Sequence, residues 1–185
     1  MNAQKYTKKS LEAIQGAQAI ALEHANQQIE QSHLLLALLE QENGLIPQLL
    51  QKMGVTVESL EAAVRQEIDR LPKVTGSGRE ADKYYIARQV VDVFQAAEHL
   101  ADQMKDEFVS VEHLFLSMLD HPDNVLGPLF KTYQIHREDC LKTLQTIRGN
   151  QRVTSDNPEE TYDALKKYGT DLVERARQNK LDPVI

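Results

Sequence analysis

His33-Leu34-Leu35-Leu36-Ala37-Leu38-Leu39 is apolar almost all round, and 80 positions later the chain writes it again as His113-Leu114-Phe115-Leu116-Ser117-Met118-Leu119. A helix without a polar face belongs at the centre of a bundle. The overlay extends in both directions without a gap, residues 8–68 lying over 88–148. It pairs Gln15, Ala17 and Ala21 with Gln95, Ala97 and Ala101, and Leu49 with Leu129. Two copies of one helical unit predict a body with approximate two-fold symmetry and a seam between its halves. Either copy alone is too small to bury a sufficient core, so each needs the other. The seam, rather than a catalytic cluster, is where function is expected.

Within each copy four helices are expected. The first runs from Thr7, an N-cap residue type, to about Asn26. Its counterpart carries Val90, Phe94, Ala97, Ala101 and Met104 on one stripe. The second is the apolar helix. A third begins near Leu45 or Val125 and closes at Gly54 or Gln134. Thr56 then caps a fourth with Val57, Leu60, Val64 and Ile68, answered by Leu141, Leu144 and Ile147. No stretch alternates with period two for long enough to predict a strand. The expected fold is therefore all-α: two pseudo-two-fold-related four-helix repeats, repeat one over 1–71 and repeat two over 80–148, forming one domain over 1–148. The breaker-rich stretch Leu71 to Arg79 joins the copies, and 149–185 reads as a flexible linker. Its last part has modest helical character (Tyr162, Leu165, Tyr168, Leu172) and reads as the start of something larger.

Bulk properties exclude several classes. The 185 residues are 41% hydrophobic and 5% aromatic, with no Trp and a formal charge of −7. No Lys/Arg stripe is present to neutralise phosphates, which argues against nucleic acid. No apolar run approaches the ~20 residues that span a bilayer, and the start of the chain carries no signal-peptide pattern. The single cysteine, Cys140, overlays on Leu60 and reads as a small buried hydrophobe. No membrane and a cytoplasmic location are the expectations.

A search for chemistry finds little. There is no P-loop, no H-E-x-x-H, no C-x-x-C and no G-x-S-x-G. His33 and His113 are repeat-equivalent, which suggests local hydrogen bonding near a helix start rather than a metal pair. Asp106, Glu107 and Glu112 bracket the turn before the second apolar helix and read as stabilisers of its dipole. Glu58-Glu61 and Glu159-Glu160 read as solvated faces. The expectation is a chain without catalytic residues or metal ligands. What remains is apolar surface beside the seam: Val91 lies roughly 100° from its stripe's centre, Leu11 is its equivalent, and Phe94 widens the patch. It either packs the other copy or forms a groove for an extended or helical apolar peptide.

Certain stretches carry a resemblance. Glu30-Gln31-Ser32-His33-Leu34-Leu35-Leu36-Ala37-Leu38-Leu39, Gly54-Val55 and Arg70-Leu71-Pro72-Lys73-Val74 resemble the N-terminal domains of ClpB-type AAA+ disaggregases. The tail, from Ala164 to Leu172 and from Lys180 to Ile185, is more specific to that family. The resemblance implies a domain on a mobile linker above a hexameric ring, engaging unfolded or aggregated proteins for ATP-driven threading alongside a DnaK-type chaperone system. It implies no cofactor in this stretch, ATP and Mg belonging to ATPase domains further along. Residues linked to substrate engagement carry over to Thr7, Asp106 and Glu112, the two acids expected at a groove rim that favours basic clients. Leu11, Ile14, Val91, Phe94, His113 and Phe115 carry over as candidate apolar or groove-adjacent positions. The alternative is a ClpC-type domain that docks folded adaptors or phosphorylated-arginine tags.

Overall fold

The computed structural model describes residues 1–74 and 85–159. After a 3-10 turn at Ala3–Lys5 come α1 (Lys8–Glu23), β1 (Gln28–Ile29), α2 (Gln31–Glu40), α3 (Leu45–Lys52) and α4 (Val57–Asp69). Then follow β2 (Tyr85–Ile86), α5 (Arg88–Gln103), α6 (Val111–Asp120), α7 (Leu126–Thr132) and α8 (Arg137–Arg148). The bounds of α1 and α2 recur in α5 and α6 at a shift of 80. The expected all-α double repeat is the fold.

Local chemistry sets the ends of these helices. Thr7 Oγ1 accepts the Ser10 amide at 3.2 Å and caps α1. The helix stops three residues before the expected Asn26 because Ala25 turns left-handed (φ 56°) and the Asn26 amide reaches back to Ala21 O at 2.9 Å. Lys105 (φ 58°) and the Asp106 amide on Ala101 O (2.9 Å) end α5 the same way. This is a Schellman closure. Gly54 (φ 81°) and Gln134 (φ 54°) are a second left-handed pair, and only the first has glycine's freedom there. Thr56 sits at the N-cap position of α4, but its side chain makes no capping bond.

Packing follows the apolar pattern. Every residue of α2 from Gln31 to Leu39 is buried, as is every residue of α6 from Val111 to Met118. Helix α1 crosses α2 closely: a Cβ on Gly16 would lie 3.2 Å from Ala37 Cβ. Helix α3 packs against both α6 and α8 of the other repeat. Cys140 is fully buried with its Sγ 3.5 Å from Met53 Sδ across that contact, and burial pushes its thiol up to about 12.

Two features were not expected. The first is a pair of extended contacts too short to leave an alternating pattern. Ile29 pairs with Ile86 in parallel, and Val109 pairs with Tyr6 in the same sense. Each partner sits 80 residues from its counterpart, so the residue before each long helix crosses to the other repeat's loop. Thr7 N reaches Val109 O at 3.0 Å, and Ala87 N reaches Ile29 O at 3.0 Å. The second concerns 149–159, expected to begin a tether. Val153 is buried, Glu107 N donates to Val153 O at 2.7 Å, and Lys8 N donates to Asp156 O at 2.8 Å. This part of the chain lies back on the body. The connector from Thr75 to Arg79 and the helical tendency expected around Tyr162 to Leu172 fall outside the described residues.

Candidate functional site

The two histidines are built into matching helix starts. In repeat one, the Glu30 amide donates to His33 Nδ1 at 2.8 Å, and His33 Nε2 donates to Asn26 Oδ1 at 2.9 Å. In repeat two, the Ser110 amide donates to His113 Nδ1 at 2.9 Å, and His113 Nε2 donates to Asp106 Oδ2 at 2.8 Å. Each ring closes a capping box from the N3 position, the role more often given to Glu or Gln. Local hydrogen bonding explains both rings. Burial, then the charge of His24, lowers His33 to about 4.

Around His113 the second copy adds charge. Arg148 Nη2 donates to Asp106 Oδ1 at 2.7 Å, and Arg148 Nη1 lies 3.4 Å from Glu112 Oε1. The Val153 amide also donates to Asp106 Oδ1, at 2.9 Å. Burial opposes ionisation of Asp106, but hydrogen bonds from His113, Arg148 and Val153 outweigh it and hold the carboxyl at about 2. Glu159 completes the cluster. Its Oε1 accepts from Thr7 Oγ1 at 3.0 Å and faces the Val111 amide at 3.4 Å.

This geometry corrects the expected site. Asp106 is 6% exposed and Thr7, Glu112, His113 and Phe115 are 0% exposed, so the two acids form no rim. Glu159, read as part of a solvated face, is 8% exposed. The polar core around Asp106 and Glu112 required cations and amides that the sequence reading did not associate with them. Phe115 lies edge-on to Phe130 at 6.2 Å, inside repeat two. Phe94 is 7% exposed and meets Tyr6 edge-on at 6.3 Å, filling part of the seam rather than lining an open groove. That contact brings the start of α1 beside α5. Leu11, Ile14 and Val91 remain half-buried on these helices, and Tyr85 and Ile86, just ahead of α5, are exposed at 53% and 46%.

Among the described residues lie surface cavities of about 400, 200 and 190 Å³, and none of these is lined by Leu11, Ile14, Val91 or Phe94. The 200 Å³ cavity lies at one end of the seam between Lys9, Gln41 to Leu45, Val111 and Glu159. At the pseudo-equivalent end Gln31 takes the place of Val111. Its amide donates to Gln89 O at 3.1 Å and His121 O at 2.9 Å, and accepts from the Asp123 amide at 2.8 Å. A long amide ties one end of the seam, and a shorter valine leaves the other open. Among the described residues, no group of three or more His, Cys, Asp and Glu side chains is placed to hold a metal ion, and no helix is long and apolar enough to cross a membrane.

A doubled four-helix unit with exchanged extended contacts is a specific architecture. A family model described as the Clp repeat (R) N-terminal domain matches residues 5–133. The chain belongs to this family. Among curated relatives of this Clp N-domain, the chaperone protein ClpB of Nitratidesulfovibrio vulgaris is 43% identical over 186 residues, covering 100% of the chain and 22% of that protein. The chaperone protein ClpB of Bacillus anthracis is 42% identical over 185 residues, with 100% and 21% coverage. The chain thus spans about a fifth of the length of these ClpB chaperones. Among solved structures, the Hsp104 N-terminal domain from Candida albicans matches with a TM-score of 0.72 and 21% identity, covering 84% of this chain and 99% of that one. A ClpV N-domain in complex with a VipB peptide matches with a TM-score of 0.60 and 20% identity, over 84% and 91%. The solved structures share the fold.

Proposed function

We propose that this Clp N-domain is the substrate-engaging part of a ClpB-type disaggregase, holding exposed apolar segments of unfolded or aggregated proteins. The observation that carries the reading is that Leu11 and Ile14 on α1 and Val91 on α5 stay half-buried, with Ile86 just before α5 exposed. Apolar burial is non-directional, at ~25 cal/mol per Å² before ordering costs, so such a surface binds weakly and with broad specificity. Thr7, Phe94, Asp106, Glu112, His113 and Phe115 act from beneath it, fixing how α1, α5 and α6 meet. The wider machine is part of the proposal: AAA+ domains carrying ATP and Mg, a hexameric ring, a DnaK-type partner and a cytoplasmic setting. In this reading the chain itself performs no catalysis.

The alternative is a ClpC-type domain that docks folded adaptors or tags, and the peptide-bound ClpV N-domain gives it some weight, since that relative of fold holds a defined peptide. Titrating a permanently unfolded, apolar-rich protein against the labelled domain separates the two. Capture of clients predicts affinity that rises with the client's exposed apolar surface and falls severalfold in Leu11→Ser or Val91→Ser. Binding that ignores both substitutions, or is confined to one folded adaptor at a single saturable site, overturns the proposal.

A further inference from the structure

Residues 149–159 cross the domain as a strap, tied at its start by Arg152 Nη1 donating to Met104 O at 2.6 Å and beyond that at three further points. Val153 is buried and hydrogen-bonded on both sides, to Glu107 N and to Asp106 Oδ1. Asp156 O accepts the Lys8 amide at 2.8 Å. Glu159 enters a pocket formed by Thr7, Ser10 and Val111, where Thr7 Oγ1 lies 3.0 Å from both Glu159 Oε1 and Ser10 Oγ. Between Val153 and Glu159 the side chains of Thr154, Ser155 and Asp156 are exposed. The strap therefore covers Thr7, Asp106 and Glu112 with a few discrete contacts rather than a broad apolar face, an arrangement suited to local opening.

The third anchor is chemically poor for an ionised carboxylate. Glu112 and Glu159 each keep one buried oxygen, Oε2, with no hydrogen-bond partner. Glu112 already shares Arg148 with Asp106. Among the described residues, the other charged groups lining the adjoining cavity are Lys9 on α1 and Glu42 before α3. No cation makes a direct contact with Glu159 among the ion pairs described. A protonated Glu159 keeps the contact with Thr7 and removes a buried negative charge.

We propose that a proton on Glu159 drives the seating of this strap, so that it loosens as the pH rises towards neutrality and uncovers the cluster beneath. Burial first, and then the charge of Glu112, push the Glu159 carboxyl from its usual 4.5 up to about 7, against the lowering effect of its own backbone amide, Thr7 and the Val111 amide. The sign follows from linkage: the seated strap holds a proton that the released strap gives up. The seating constant therefore falls about tenfold per pH unit between ~4.5 and ~7 and is level above that window.

The inference rests on the proposed function only for the meaning of what is uncovered, because seating is measured without any client. Amide hydrogen exchange of the full chain, read as protection factors, reports it at Lys8, Glu107 and Val153, with Leu36 and Leu116 as core references. The expected result is protection that falls about tenfold per unit from pH 5 to 7 at the three strap-linked amides relative to the references, then levels off. Glu159→Gln is expected to hold high, pH-independent protection. Glu159→Ala, even with weaker seating, is expected to lose the slope as well. A flat wild-type profile, or the wild-type slope retained in either variant, overturns the proposal.

Discussion

Repeat one and repeat two share their helices and both histidine caps, yet they solve the same packing problem with opposite chemistry. Where repeat one has Asn26, Ser32 and Ile68, repeat two has Asp106, Glu112 and Arg148, all buried. The first copy closes this site with a neutral pair, His33 on Asn26, and the Asn26 amide on Pro72 O at 3.2 Å. The second closes it with a charged network that also holds Val153 and adjoins Glu159. The difference teaches that the backbone frame is set by apolar periodicity, while polar content at one site is free to change if it changes as a set. A buried charge is tolerated only with its partner, and removing one member leaves the others desolvated.

The largest expected effect breaks that set. Arg148→Ile, which installs the residue of repeat one alone, strands Asp106 and Glu112 and is expected to cost about 3–5 kcal/mol in urea unfolding. Adding Asp106→Asn and Glu112→Ser completes the exchange. The triple variant is expected to recover most of the loss, since apolar or neutral replacement of a whole buried ionic group is often neutral or better. If the three substitutions destabilise additively, the two sites are not interchangeable and the comparison fails.

Acid sharpens it next, because the two copies lose stability in different windows. His33, lowered from 6.5 to about 4, stays neutral in the fold while the unfolded chain takes up a proton. Its contribution is full above pH 6.5 and is lost as the pH falls towards 4, on the order of 3 kcal/mol. Asp106, lowered from 3.8 to about 2, contributes above 3.8 and loses that contribution as the pH falls towards 2, about 2 kcal/mol. Unfolding midpoints from pH 7 to 3, measured in a Glu159→Gln background so that the proton held there does not offset the upper window, check both: His33→Gln is expected to flatten the upper window only, and Asp106→Asn the lower only.

The smallest effect is a gain. Gln134 adopts the left-handed conformation that Gly54 adopts in repeat one, so Gln134→Gly is expected to stabilise by about 0.5–1 kcal/mol, measured by thermal unfolding. A loss would mean that the Gln134 side chain makes a contribution larger than the backbone strain it carries.

Much of this fold is legible in the sequence because its signals are local or repeated. The apolar run after His33 recurs after His113, Thr7 caps α1 as its residue type suggests, and Cys140 occupies a core position as its alignment with Leu60 implies. The site was less legible. Acids before a helix usually stand in solvent, and nothing near Asp106 or Glu112 in the chain announces Arg148, Val153 or Glu159, which lie 42, 47 and 48 residues away from the groups they meet. The signal was present in the overlay itself: Arg148 falls on Ile68, at the same time as Asp106 falls on Asn26 and Glu112 on Ser32. Three charges gained together at core positions point to a buried network. Ile29–Ile86 and Tyr6–Val109 are each too short to alternate, so those extended contacts had no sequence pattern to betray them.

The claim that this domain captures unfolded polypeptide on one face is tested most directly by amide chemical-shift mapping with an unfolded, apolar-rich client. The account predicts the largest shifts at Leu11, Ile14 and Val91, with the solvent faces of α4 and α8 unchanged. Shifts confined to α4 and α8, or no shifts at client concentrations that saturate the binding curve, would contradict it.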